Sequence, residues 1–149
     1  LKTACMRYFN VFGPRQDPKS QYAAAVPIFI HKALKGRPLT IFGDGEQTRD
    51  FVYVKDVVAA NVFFAEHEDV TGVYNVGYGK SVTVNDLAKQ IIDLTGSKSQ
   101  IHYAPIRPGD VKYSMAAVKK LQKTGLSLEN CFRIGLEDTA SHFNLAATI

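Results

Sequence analysis

Cysteine is scarce. Among 149 residues only Cys5 and Cys131 occur, far apart and in unrelated patterns, which argues against a disulfide framework and a cysteine zinc site and fits a reducing compartment. His31, His67, His102 and His142 show no ligand spacing, so no metal is expected. Long apolar runs are also missing. The longest, residues 57–65, is broken by Asn61 and falls well short of the roughly 20 residues that span a bilayer, so no membrane partner is expected. No run rich in Lys and Arg carries interleaved aromatics, and a nucleic-acid partner is therefore not expected. The formal net charge of +4 is a mild excess that suits an anionic ligand. The opening residues, Leu1-Lys2-Thr3-Ala4-Cys5, hold no initiator Met, basic leader or small-residue cleavage site. They resemble the inside of a strand, and the expectation is a cytoplasmic piece of a longer protein.

What is present is an alternation of strand and helix patterns. Residues 2–12 are almost continuously apolar (Ala4, Cys5, Met6, Tyr8, Phe9, Val11), as in a strand covered on both faces, and Gly13-Pro14 ends it. Residues 16–21 form a polar loop. Val26, Phe29, Ile30, Ala33 and Leu34 then recur at helical spacing, with Pro27 in the first turn and Gly36 at the end. Residues 38–42 and 48–54 read as a hairpin about Asp44-Gly45. Asp56 is the expected cap of a helix that is apolar nearly all round (Val57, Val58, Val62, Phe63, Phe64) and so should be buried. Residues 72–77 form a short strand. Thr83-Val84-Asn85-Asp86 has capping-box spacing and opens a helix with Val84, Leu87, Ala88, Ile91 and Ile92 on one face, stopped at Gly96. Residues 101–104 are a strand, and weaker helical signals cover 115–123 and 136–143. The class is mixed α/β or α+β. Strands 2–10 and 73–76 each require parallel neighbours that so short a chain scarcely has room to supply.

Four ordered segments carry a resemblance. They are Arg7-Tyr8-Phe9-Asn10-Val11-Phe12-Gly13-Pro14-Arg15-Gln16, the run from Phe42 through Arg49-Asp50-Phe51-Val52-Tyr53 to Asp56, Tyr74-Asn75-Val76-Gly77, and Arg107-Pro108-Gly109-Asp110. Together they resemble the NAD-dependent epimerase and dehydratase family of extended short-chain dehydrogenases. Gln16-Asp17-Pro18 and Tyr22-Ala23-Ala24 look most like bacterial UDP-N-acetylglucosamine 4-epimerases. The match is close to about residue 115 and loose beyond. Ala117 stands where the family commonly has Asp, which casts doubt on the geometry of the tail.

The resemblance implies a mixed α/β fold: residues 1–149 as the carboxy-terminal, substrate-binding portion, carrying remnant strands of a Rossmann sheet. The NAD-binding Rossmann domain is expected to lie outside this chain. NAD is the implied cofactor, yet the chain holds neither a Gly-x-x-Gly-x-x-Gly turn nor a Tyr with Lys four positions later. No catalytic residue is therefore assigned, and the chain alone is expected to be inactive. A UDP-sugar is the implied partner. Asn10 is expected to touch its sugar or diphosphate, the alternative being a loop cap. Arg49 is the expected diphosphate grip, because a planar, permanently charged guanidinium is bidentate; a pair with Asp50 or Asp56 is the alternative. Arg107 on phosphate and Asp110 on the ribose hydroxyls are expected to close the site, or else to form a surface salt bridge. Val26, Ile41 and Phe42 would sandwich the uracil, or simply fill the core, and Gln16 and Ser114 would line the hexose pocket. Tyr8 and Phe9 would lie beside the nicotinamide, or serve as core aromatics. The alternatives for the whole are a nucleotide-sugar 4,6-dehydratase portion and a non-catalytic nucleotide-sugar-binding module. Self-association through the exposed strands is expected, or else strand exchange between chains or disorder of the first ten residues.

Overall fold

A computed structural model of the chain describes residues 1–18, 24–129 and 131–146. Tyr22 and Ala23, part of the resemblance, and residues 19–21 of the polar loop at 16–21 lie outside the described residues. The architecture is the expected α/β mixture, assembled from two-stranded pairings rather than one broad sheet. Strand β1 (Ala4–Tyr8) pairs in parallel with β6 (Gly72–Val76), from Ala4 opposite Gly72 to Tyr8 opposite Val76. The two segments expected to require outside neighbours thus find one another. Their burial nevertheless differs from that of a strand covered on both faces: Tyr8 and Val73 are 46% and 44% exposed.

The expected long first strand is in fact two. Asn10 has a φ of 24°, which kinks the chain between β1 and β2 (Val11–Phe12). Asparagine tolerates positive φ better than most residues, and its Nδ2 donates to the Asp50 carbonyl at 3.0 Å, which fixes the kink. Strand β2 pairs in parallel with β5 (Val52–Tyr53).

The expected hairpin is also corrected. Strand β3 (Leu39–Phe42) pairs in parallel with β8 (Ile101–Ala104), and β4 (Thr48–Arg49) pairs antiparallel with β7 (Val82–Thr83). Gly43 and Gly45 take positive φ, as their turn signal required, but the turn folds back onto Asn85 instead of joining two paired strands. The Asn85 N–H donates to the Gly45 carbonyl at 3.0 Å, and its Nδ2 donates to the Asp44 carbonyl at 3.0 Å. A Cβ on Gly45 would collide with the Asn85 side chain.

Helix α1 (Ala25–Leu34) buries the predicted stripe of Val26, Phe29, Ile30 and Ala33. Pro27 sits in the first turn, where its missing N–H costs no hydrogen bond. Gly36, at φ 62°, donates to the Ala33 carbonyl at 2.9 Å and ends the helix. Helix α3 (Val84–Thr95) is capped as expected, the Thr83 hydroxyl accepting from the Asp86 N–H at 2.9 Å, and Gly96 closes it at φ 60°. Helices α1 and α3 pack with β3 and with α5 (Phe132–Ala146) around one apolar cluster that includes Phe12, Phe51 and Leu136. Gly135 lets α5 approach closely: a Cβ there would lie 2.6 Å from the Tyr53 ring.

Helix α2 (Val54–Glu66) departs from expectation twice. Tyr53, not Asp56, is the residue before the first turn. Asp56 lies inside that turn, almost fully buried, accepting a hydrogen bond from the Tyr78 hydroxyl. Nor is the helix buried all round, since Val58 and Val62 are 54% and 49% exposed. The expected helix at 115–123 shrinks to α4 (Lys119–Gln122), with Met115 exposed before it.

Candidate functional site

An open cavity of about 650 Å³ lies between α1, β3 and the loop after β8. Two periodicities decide what it meets. Strand β3 alternates, with Leu39 and Ile41 turned to the core and Thr40 and Phe42 half-buried at the cavity wall. Helix α1 turns Val26, Phe29, Ile30 and Ala33 inward, which leaves Ala25, Ile28 and Lys32 along the opening.

The charged side of the cavity is built by a turn. Arg107-Pro108-Gly109-Asp110 has proline second, glycine third at φ 79°, and the Asp110 N–H donating to the Arg107 carbonyl at 3.2 Å, the pattern of a type II turn. This brings Arg107 and Asp110 to the same opening. The Arg107 guanidinium lies 3.7 Å over the Phe42 ring, a cation–π stack. Arg49, at the end of β4, donates to the Asp110 carboxylate through Nη2 and to the Thr48 carbonyl through Nη1 at 2.9 Å. The pair is largely sheltered, with side-chain exposures of 18% and 28%. Arg49 therefore pairs with Asp110, neither with Asp50 nor with Asp56. Among the described residues, three cations (Lys32, Arg49, Arg107) and one carboxylate (Asp110) line the cavity. Helix α1 adds the positive end of its dipole: Ala24 and Ala25 line the opening, Ala24 provides no side-chain cap, and the first turn holds no acidic residue.

Of the sequence candidates, Asn10, Ile41, Phe42, Arg49, Arg107 and Asp110 are brought to this cavity. Val26 is not. It is fully buried on the core side of α1, and Ile41 is 1% exposed, so neither presents a free wall for a base. Asn10 arrives with one N–H of its amide already given to the Asp50 carbonyl. Gln16 donates to the Val11 carbonyl at 3.3 Å, its Oε1 is buried without a partner among the described residues, and it is outside the cavity lining. Ser114, tied by its N–H to the Thr48 carbonyl at 3.1 Å, is likewise outside the lining. Tyr8 donates to Asn61 Oδ1 at 3.0 Å on the half-exposed ribbon, and Phe9 donates its N–H to the Val76 carbonyl.

Sequence reasoning missed Asp50, Lys32, Thr40 and Gln47. Asp50 is fully buried, and its carboxylate accepts from the backbone N–H groups of Tyr78 (2.9 Å), Gly79 (2.9 Å) and Ala116 (3.0 Å). It thereby ties the loop after β6 to the segment that carries Arg49, while its backbone carbonyl holds Asn10. Gly77 has to be glycine, because a Cβ would lie 2.7 Å from Ala116 and 2.9 Å from the Asp50 carboxylate. Beside it, burial first and then the Asp56 hydrogen bond push the Tyr78 phenol well above its usual range, which keeps it a neutral donor. Gln47 donates to the Phe42 carbonyl at 2.7 Å and sets the edge of the cavity.

Parallel strand pairs crossed by helices, with an arginine-bearing cavity between helix and strand, are features of an extended short-chain dehydrogenase. The chain belongs to the NAD dependent epimerase/dehydratase family, whose model matches residues 1–77. A UDP-N-acetylglucosamine 4-epimerase from Methanobrevibacter ruminantium M1, solved with UDP-N-acetylmuramic acid, superposes with a TM-score of 0.93 at 45% identity, covering 98% of this chain and 47% of that one. A UDP-glucose 4-epimerase from Thermotoga maritima, solved with UDP-glucose, gives 0.91 at 40% identity, covering 99% and 47%. A UDP-N-acetyl-alpha-D-glucosaminuronate decarboxylase from Bacillus cytotoxicus is 41% identical over 106 residues, 70% of this chain and 32% of its own. The chain spans about half the length, or less, of the relatives it matches.

Relatives of this family bind NAD. An NAD pyrophosphate takes a glycine-rich turn leading into a helix N-terminus. No such turn precedes any helix in this sequence, so the residues here do not fit that seat.

Proposed function

We propose that this chain is the UDP-sugar-binding portion of a nucleotide-sugar 4-epimerase of the UDP-N-acetylglucosamine type. The observation that carries the proposal is the cation-lined cavity, with Arg49, Arg107 and Asp110 converging on one opening beside the N-terminus of α1. A diphosphate recruits Arg49 from its pair with Asp110, exchanging one carboxylate for several phosphate oxygens that a guanidinium meets two at a time. Arg107, already lodged over Phe42, closes from the other side. Asp110, once released, is free to accept two hydrogen bonds from a ribose diol. The first N–H groups of α1 add fixed donors towards the anion. Held by its nucleotide, the sugar is left free to turn. An intermediate of an epimerisation that presents each face in turn requires that freedom.

Because the chain lacks both the dinucleotide turn and the Tyr-x-x-x-Lys pair, it is inactive by itself, and no chemical step is assigned to its residues. A dehydratase or decarboxylase would use the same UDP anchor, and the UDP-N-acetyl-alpha-D-glucosaminuronate decarboxylase relative is the reason to keep that second reading. The test is a calorimetric titration of the purified chain with UDP and with uridine. UDP is expected to bind saturably at one site, and uridine about tenfold more weakly or worse, because it lacks the charge-assisted contacts. Absence of UDP binding at millimolar concentration would overturn the reading, as would conversion of UDP-N-acetylglucosamine to its 4-epimer by chain plus NAD.

A further inference from the structure

We infer that Lys32, with Thr40, reads the nucleobase and makes the cavity prefer uracil to cytosine. The inference rests on the UDP reading above and adds a residue that the family motifs do not include. Lys32 is half-buried on the cavity side of α1 and makes no ion pair among the described residues; its Nζ donates to Thr40 Oγ1 at 3.1 Å. An ammonium has three N–H donors, so two remain for an acceptor inside the cavity. Thr40 already accepts from the lysine, and its own O–H is therefore free to donate as well. The corner therefore offers three donor hydrogens, two on the ammonium and one on the hydroxyl, against the one lone pair left on Thr40 Oγ1, and is chiefly a donor.

Phosphates also accept, but the anion end lies elsewhere. The N-terminus of α1 opens at Ala25, and Lys32 is seven residues further on, about 10 Å along the helix axis at 1.5 Å per residue. That spacing separates a diphosphate end from a base end. The apolar walls expected to select the base are also occupied: Val26 and Ile41 are buried, and one face of the Phe42 ring is covered by Arg107. Polar recognition at Lys32 and Thr40 takes their place. Uracil presents an acceptor oxygen at C4, the same group that thymine carries there. Cytosine presents an N4 amino donor at that position, which would face the ammonium donor to donor.

The experiment compares UDP with CDP on the whole chain, wild type and Lys32→Met, by calorimetry. Wild type is expected to favour UDP by about tenfold. Lys32→Met, which keeps the apolar stem, is expected to weaken UDP by about that factor while CDP stays within about twofold, so that the ratio collapses towards one. Equal loss of both nucleotides would place Lys32 on phosphate, and loss of neither would leave it structural; either overturns the inference while the UDP reading stands. Failure of wild type to bind UDP would overturn both. Should Lys32→Met fold poorly by thermal melting, Thr40→Val reads the same ratio, with a fall expected and an unchanged ratio contradicting it.

Discussion

The cavity wall and the β1–β6 ribbon are both apolar in sequence, yet the structure treats them oppositely. Along α1 and β3 apolar and polar positions alternate at the period of the element, and each residue finds the side its pattern assigned: Val26 and Ile41 inward, Lys32 and Thr40 at the opening. Along β1, β6 and α2 the apolar residues run round both sides. There Tyr8, Val58, Val62 and Val73 remain about half exposed. A segment with a one-sided pattern carries the information for its own packing. A segment apolar on both sides has more apolar surface than its own neighbours cover.

The strongest way to break the comparison is to attack the joint between the two regions. Asp50→Ala would strand three backbone N–H groups, that of Ala116 buried and those of Tyr78 and Gly79 part-buried, at up to about 1–3 kcal/mol each, a large share of a domain's total of about 5–15 kcal/mol. Urea unfolding of that variant is expected to show a chain largely unfolded in buffer. A midpoint like that of wild type would mean that Asp50 is not the joint.

On the well-packed side, Gly135→Ala is expected to cost about 1–2 kcal/mol, because the clash with Tyr53 outweighs the gain in helix propensity. A raised melting temperature would contradict that packing. Beside it, the Tyr53 hydroxyl, then Lys55 at 3.2 Å, hold the Asp138 carboxyl below its ordinary range. A depressed carboxyl contributes stability that is full above its unfolded pKa, near 3.8, and is lost as pH falls through the lower folded value. Asp138→Asn should therefore lower the melting temperature at neutral pH and flatten its acid dependence. An unchanged acid limb would remove Asp138 from the account.

The smallest stability effect belongs to the exposed side. Val62→Ser is expected to change stability by less than about 0.5 kcal/mol while lowering self-association in light scattering at high concentration. Strictly monomeric wild-type chain, with β1 and β6 protected from amide exchange, would show that this face needs no partner.

Much of the fold was legible for physical reasons. Helices α1 and α3 declared themselves through a one-sided stripe, a first-turn proline or capping threonine, and a terminal glycine in left-handed conformation. The hairpin misled because Gly43 and Gly45 signal a turn without naming what the turn docks against; Asn85, forty residues on, decides that. The role of Asp50 was invisible because its partners are backbone N–H groups, which no side-chain pattern records. Within the site, Arg49, Arg107 and Asp110 were found through the motif, whereas Lys32 and Thr40 sit on the polar side of elements whose apolar side drew the attention. Val26 was misplaced for the same reason: it belongs to the inward stripe.

The most direct measurement is the UDP dissociation constant of Arg49→Lys against wild type. A lysine keeps the charge but loses the bidentate fork, and a charge-assisted hydrogen bond contributes about 1.5–3 kcal/mol, so binding is expected to weaken by roughly 10- to 100-fold with the fold intact. An unchanged dissociation constant would take Arg49 out of the site and with it the diphosphate reading of the cavity.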